Sequence, residues 1–335
     1  MPAEPRTVPR FPVVPPEAGH YESFYLKACH PDGGRAVWVR YTVHKRPGAA
    51  PVGSLWCTLF DAGAPAPLAA KATLPPEALG TGPDQYLHVG ASRFAPGVVA
   101  GTTSDGHQGD GGAAWDLRFE AGGPALDHLG HAWMYRAPLP RTKPRTLYPA
   151  ARFSGTVAAG GRTVELDGWP GMVGHNWGTE HAARWIWLHA AFPDRAGAWL
   201  DLVAARVALG RALSPWVAYG AVELDGARLP LGGLGRVRAT AIRAAPGGCE
   251  VTVPGARLVL RATVTVPAPH MVAWEYADPG GGVHHALNCS IADVGVVVER
   301  RGTAPVELAG SMTAAYELGL RERDHGVPLQ PFPDG

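Results

Sequence analysis

Apolar and polar residues alternate with a period of two along most of this chain, the pattern of strands with one buried face. Residues 20–28 (HYESFYLKA), 36–45 (AVWVRYTVHK), 52–61 (VGSLWCTLFD) and 66–73 (PLAAKATL) mix β-branched or aromatic residues with polar ones and stop at Gly, Pro or Asp. That succession predicts a β-meander. Residues 74–112 carry turn chemistry, and a flexible loop is expected near 101–112. Order resumes at 113–122 and 126–137, then at a hairpin whose turn is Ala159-Gly160-Gly161. The densest aromatic stretch of the protein follows at 168–192. Asp225-Gly226 and Pro246-Gly247-Gly248 mark further hairpin turns of the positive-φ kind. The segment LVAARVALGRAL (202–213) could form a short helix, but its β-branched content and its place after a strand favour strand.

So many short strands in 335 residues make two barrels, two sandwiches or a propeller, and no repeat of ~40–50 residues supports a propeller. Two antiparallel domains are expected, spanning 18–192 and 196–325 and joining near 180–196, with a Pro-rich arm before them. Closed barrels remove sheet edges and leave room for an apolar ligand.

Composition narrows the function classes. With 46% hydrophobic and 18% charged residues, 44 glycines and 33 prolines, the chain is globular and turn-rich. A net charge of +1, with its basic residues scattered, gives no support to nucleic-acid binding. Cys29, Cys57, Cys249 and Cys289 form no CxxC pair and are expected to be buried thiols. No signal-like segment and no run of ~18 apolar residues occurs, so a cytoplasmic location without a transmembrane segment is expected, leaving room for peripheral contact with a membrane. The Asn288-Cys289-Ser290 sequon is then a chance match. GxSxG, P-loop and dinucleotide fingerprints are absent, and no cofactor is implied. His181, His189, His284 and His285 invite a metal, but the adjacent pair 284–285 should point to opposite faces, and no metal is expected.

One segment carries chemistry. In Gly171-Met172-Val173-Gly174-His175-Asn176-Trp177-Gly178 the alternation places His175 and Trp177 on one face and Asn176 on the other. In the next segment, 184–192, Trp185, Trp187 and His189 share one face and Ile186, Leu188 and Ala190 the opposite one. Further on, Trp199 and Asp201 share a face, setting a carboxylate among apolar neighbours, where an ionisable group is costly unless paired or used. Glu275 and Glu317 are expected on solvated faces.

The HNWG block followed by Trp185-x-Trp187 resembles the signature of the double-lipocalin (calycin) family that includes the AttH-like proteins, the acyclic-carotenoid hydratases (hydroxyneurosporene synthases) and the tocopherol cyclases. The resemblance implies an all-β chain of two lipocalin-like antiparallel barrels. It also implies a catalytic pair, His175 and Asp201, for protonating a carbon–carbon double bond, with Trp177, Trp185, Trp187, His189 and Trp199 as substrate-binding residues. This sequence departs from the pattern at two positions, with Gly174 where the family has an acid and Trp199 where it has a tyrosine. Two readings lead, beside a third, a structural or stress-related role with no ligand. The first is a cofactor-independent hydratase, cyclase or isomerase of a polyene or isoprenoid-like substrate. The second is a lipocalin-like carrier that binds an apolar small molecule without chemistry, and convergence of His175 with Asp201 would separate them. A cavity of ~300–1,000 Å³ lined by Trp177, Trp187 and Trp199 is expected in either case.

Overall fold

The computed structural model describes residues 7–104, 112–267 and 269–334. Most of the loop expected near 101–112 and the first residues of the arm lie outside them. The described part of the arm carries a single 3₁₀ turn, Phe11–Val13. Among the described residues no helix is long and apolar enough to cross a membrane.

Two antiparallel sheets of twelve and ten strands account for the architecture, the first curled into a nearly closed barrel and the second into a half-barrel. The first sheet runs as a meander through Leu68–Leu74, Val52–Asp61, Arg35–Lys45 and His20–Cys29. It then crosses to the long hairpin Arg162–Gly178 and Thr142–Ala159 and continues through Ala113–Glu120. The hairpin turns where the sequence places it, because Gly160 and Gly161 supply φ values of 53° and 74° that a side chain would resist. Asp225 and Gly226 do the same in the second sheet with φ of 54° and 75°. The segment expected to be a strand at 202–213 forms the end of Trp199–Arg206 and a small hairpin, Ala208–Leu209 with Ala212–Leu213.

The domain ranges need a correction. Arg184–Ala191, which the range 18–192 assigns to the first barrel, pairs with Trp199–Arg206 and Val306–Leu320 of the second sheet. The chain therefore passes between sheets after Gly178 and before Arg184. Sequence cannot mark that point, because a strand leaving one sheet and a strand entering the next alternate alike.

The meander strands His20–Cys29, Arg35–Lys45 and Val52–Asp61 are buried along nearly their whole length, on both faces. One face of them, including Phe24, Leu26, Val39, Tyr41 and Leu55, fills the first barrel together with Phe94 and Trp115. The other face, with Trp38, Trp56 and Phe60, joins a second core with Trp274, Leu200 and Leu318. The half-barrel thus completes its core against the outer wall of the first barrel, which makes the contact between the sheets part of the folded interior. All four cysteines are free and buried, and Asn288 of the sequon is fully buried.

Close approach at that contact depends on glycines without space for a side chain. A Cβ on Gly319 would stand 2.0 Å from Cε2 of Trp185, whose indole lies across it, and one on Gly174 would stand 2.2 Å from Cζ of Tyr25. Overpacking of this kind costs ~1–3 kcal/mol. Gly319→Ala is expected to lower the unfolding free energy by that amount in urea titration, and an unchanged midpoint would show that Trp185 moves aside freely.

Candidate functional site

Opposed residues on neighbouring antiparallel strands share a face, and Gly174 is opposed by Tyr25 on one side and Thr146 on the other. All three face the second sheet. There the strand Trp199–Arg206 presents Asp201, which no solvent reaches. Its Oδ2 accepts a 2.5 Å hydrogen bond from Thr146 Oγ1, and its Oδ1 accepts a 3.1 Å bond from Nε1 of Trp187. His128, from the loop that follows Leu126–Asp127, places Nε2 at 3.0 Å from Thr146 Oγ1 and at 3.7 Å from Asp201 Oδ1.

The protons can be assigned by counting donors. Thr146 has one hydroxyl hydrogen and gives it to Oδ2 of Asp201, so His128 Nε2 donates to Thr146. Nδ1 of His128 is then a bare lone pair, and it is buried without a hydrogen-bond partner. The result is a relay, in which a proton taken up at His128 Nδ1 would let the Nε2 proton pass to Thr146 and the Thr146 proton to Asp201 while every bond is kept.

Around the relay stand Tyr25, edge-on to Trp187 with ring centroids 5.6 Å apart, and His189, the cross-strand partner of Asp201. Nε2 of His189 donates to the Pro149 carbonyl at 2.9 Å, and its Nδ1 is buried without a partner. Burial, helped by the charge of Lys27, depresses the His189 pKa to about 4. Burial raises the Tyr25 phenol, and the Asp201 and Glu317 charges push in the same direction. Lys27 is itself buried and donates to the Thr313 carbonyl at 2.6 Å.

His175 belongs to a different network, on the opposite face. It opposes Phe24, whose ring stacks on its imidazole at 4.1 Å, inside the first barrel. Nε2 of His175 lies 2.7 Å from Oε1 of Glu22, and Trp177 stacks on the imidazole at 4.6 Å. Burial by itself would raise the Glu22 carboxyl, but hydrogen bonds from His175 and His20 outweigh it and hold the pKa at about 2. Burial lowers the pKa of His175 against the pull of Glu22. Glu22 also accepts from the backbone N–H groups of Arg10 and Phe11 at 2.8–2.9 Å, which pins the arm across this end of the barrel. The guanidinium of Arg10 lies 5.0 Å over the Trp177 ring. The pair expected to converge, His175 and Asp201, is therefore separated by the thickness of the sheet.

The remaining residues of the expected site are also dispersed. Trp187 and His189 do stand at Asp201. Trp199 packs with Leu126 and Ala221 beneath the Arg228 guanidinium. Trp185 donates to Oε1 of Glu317 at 2.8 Å, and Tyr276 and Asn288 donate to Oε2 of the same carboxylate. Glu317 is accordingly buried, not on the solvated face expected of it, because the indole and phenol donors replace water. Two surface grooves, of about 480 and 320 Å³, are lined by none of Trp177, Trp187 and Trp199. The three tryptophans stand in separate clusters, Trp177 against His175, Trp187 with Met172 and Ala315, and Trp199 with Leu126 and Ala221.

His181, Asp278 and His284 bring their potential ligand atoms within 4.8 Å of one another. Arg321 Nε donates to Nε2 of His284 at 3.0 Å, so the neutral ring carries its proton on Nδ1, which faces Asp278 Oδ2 at 3.5 Å. Nδ1 of His181 and its backbone N–H both lie 2.7 Å from Asp278 Oδ1. Through His181 the trio clamps the inter-sheet connection to the turn at Asp278, while Nδ1 of His284 is buried without a hydrogen-bond partner. His285 points away and bonds His325 at 2.8 Å.

Sequence reasoning missed Thr146, His128, Tyr25 and Glu22. Each acquires its role only from a partner distant in sequence, and only the alternation around Glu22 and Tyr25 hinted at opposed faces.

Burial depresses His189 and His284 to about 4 from an ordinary 6.5. As pH falls the unfolded chain takes up these protons first. The associated stabilisation is complete above about pH 6.5 and is lost between there and about pH 4. Urea midpoints measured at about pH 7.5 and about pH 5 should fall towards acid, and His189→Gln, which keeps a donor for Pro149, should fall less. An equal fall in the variant would contradict the assignment.

No protein-family model matches the chain. It is 28% identical over 314 residues to an uncharacterised protein of Mycobacterium tuberculosis, present in strains CDC 1551 and H37Rv, with 90% of each chain covered. Among solved structures it is similar to a protein assigned as AttH from Nitrosomonas europaea, with a TM-score of 0.59, 13% identity, and 96% and 99% of the two chains covered. It is similar also to CghA solved with Sch210972, with a TM-score of 0.54, 12% identity, and 90% and 88% covered. Kievitone hydratase from Nectria haematococca superposes more loosely, with a TM-score of 0.48 and 10% identity over 95% and 98%. The resemblance carried by the HNWG and Trp-x-Trp segments thus holds as a double-lipocalin fold.

Proposed function

Proceeding from a double-lipocalin fold shared with AttH and CghA, we propose that this chain is a cofactor-independent hydratase, cyclase or isomerase whose acid–base centre is Asp201. The observation that carries the reading is the buried relay of His128, Thr146 and Asp201. A structural carboxylate needs partners, but it does not need a second titratable group joined through a hydroxyl with its far nitrogen left bare.

The chemistry suits an apolar alkene, of polyene or isoprenoid type. With a proton taken up at His128 Nδ1 and passed through Thr146, the Asp201 carboxyl protonates one carbon of the double bond, and the faces of Trp187 and Tyr25 stabilise the carbocation. Loss of a neighbouring proton back to the relay completes an isomerisation, attack by a second double bond a cyclisation, and attack by water a hydration. In each case the proton lent by the relay returns to it. CghA is crystallised with Sch210972, which supports a small organic ligand for this fold. His175 serves as a positioning residue that holds Glu22, Trp177 and the arm.

The separation of His175 from Asp201 favours a second reading, a carrier that binds the same class of ligand without turnover. One pair of variants distinguishes them. Asp201→Asn should cost turnover of a ligand identified by mass spectrometry from the purified protein ~10²–10⁴-fold, with the fold retained. His175→Ala should chiefly lower stability, by ~1–3 kcal/mol. A ligand that binds wild type and Asp201→Asn equally and leaves both unchanged would establish the carrier.

A further inference from the structure

Trp133, Leu139, Val207, Leu209 and Leu234 are large apolar side chains left exposed, Trp133 by 59% and Leu139 by 65%. They occupy three segments: the loop 128–141, the hairpin 207–214 and the 3₁₀ turn Leu234–Ala239. All three leave the sheets at one end, where Thr142–Ala159 begins, Trp199–Arg206 ends, Val217–Leu224 begins and Ala227–Gly232 ends. Contacts make them continuous. Gly130 sits against the Tyr219 ring, 3.7 Å from where its Cβ would be, and Tyr219 in turn meets the backbone of Leu234. At the hairpin's root Arg206 and Trp216 share the groove of about 480 Å³ with Thr240 and Ile242.

The charge on this rim is mainly positive, the carboxylates that reach it, Glu180 and Glu250, being paired with Arg141 and Arg243. Residues 128–147, 202–222 and 227–249 contain no Asp or Glu, in a chain of net charge +1. Arg136, Arg211 and Arg238 are exposed there and form no ion pair among the described residues. Exposed tryptophan and leucine beside arginines free of carboxylate partners is the chemistry of the interface of an anionic bilayer. We propose that this rim docks the protein on anionic phospholipid membranes. A second copy fits less well, because an isologous contact would press the same arginines against each other. The docking stands without the Asp201 reading. If that reading holds, the rim also brings the loop bearing His128 to the phase in which an apolar substrate dissolves.

The test is co-sedimentation of the full chain with vesicles of phosphatidylcholine alone or of equimolar phosphatidylcholine and phosphatidylglycerol. Wild type should pellet with the anionic vesicles, less so as salt rises. Replacing Arg136, Arg211 and Arg238 together by Ala should weaken partitioning about a hundredfold at roughly a fivefold loss per arginine. Trp133→Ser should also weaken it, and both variants should melt at the wild-type temperature. Asp201→Asn should pellet like wild type, which keeps this result independent of the catalytic one. Wild type that ignores both vesicle types, a triple variant that binds normally, or a dimer in solution that Trp133→Ser dissociates would each overturn the proposal, the last in favour of a second copy.

Discussion

A carboxylate without water must be bonded by protein on every side, and Asp201 meets that demand by drawing on both sheets. Trp187 reaches it from the neighbouring strand of its own sheet, and Thr146 from the facing barrel. The two sheets must hold one register for both bonds to form. The bare Gly174, which lets the Tyr25 ring lie at the contact, belongs to the same constraint. Gly174 carries no side chain, and the Tyr25 ring occupies the space.

The wall between the sheets therefore separates two different polar centres. On the barrel side Glu22, His175 and His20 form a charged plug that fixes the arm. On the contact side His128, Thr146 and Asp201 form a hydrogen-bonded chain. Strand Arg162–Gly178 serves both by alternation, sending His175 one way while Gly174 leaves room on the other. Removing one partner from either centre leaves a buried charge or dipole unsatisfied, so each centre is costly to disturb even where it has no part in chemistry.

Much of this was legible in the sequence. Strand class, the hairpin turns at Gly160-Gly161 and Asp225-Gly226, the shared face of His175 and Trp177, and that of Trp199 and Asp201 all follow from a period of two and from glycine's access to positive φ. What alternation does not say is which object each face meets. His175 and Asp201 each point inward, but into different interiors, and no local pattern tells a barrel lumen from a contact between sheets. Thr146 lies 55 residues from Asp201 and Glu22 lies 153 from His175, so their partnerships exist only once long-range pairing is set. Glu317 looked solvated for the same reason, since its donors Trp185 and Tyr276 come from distant strands.

The account rests on the bond between Thr146 and Asp201 being a real tie between the sheets. A double-mutant cycle of Thr146→Val and Asp201→Asn, read by equilibrium urea unfolding, measures it directly. A coupling of ~1–3 kcal/mol is predicted, as for neighbours in one buried network, whereas effects that add to within ~0.5 kcal/mol would contradict it.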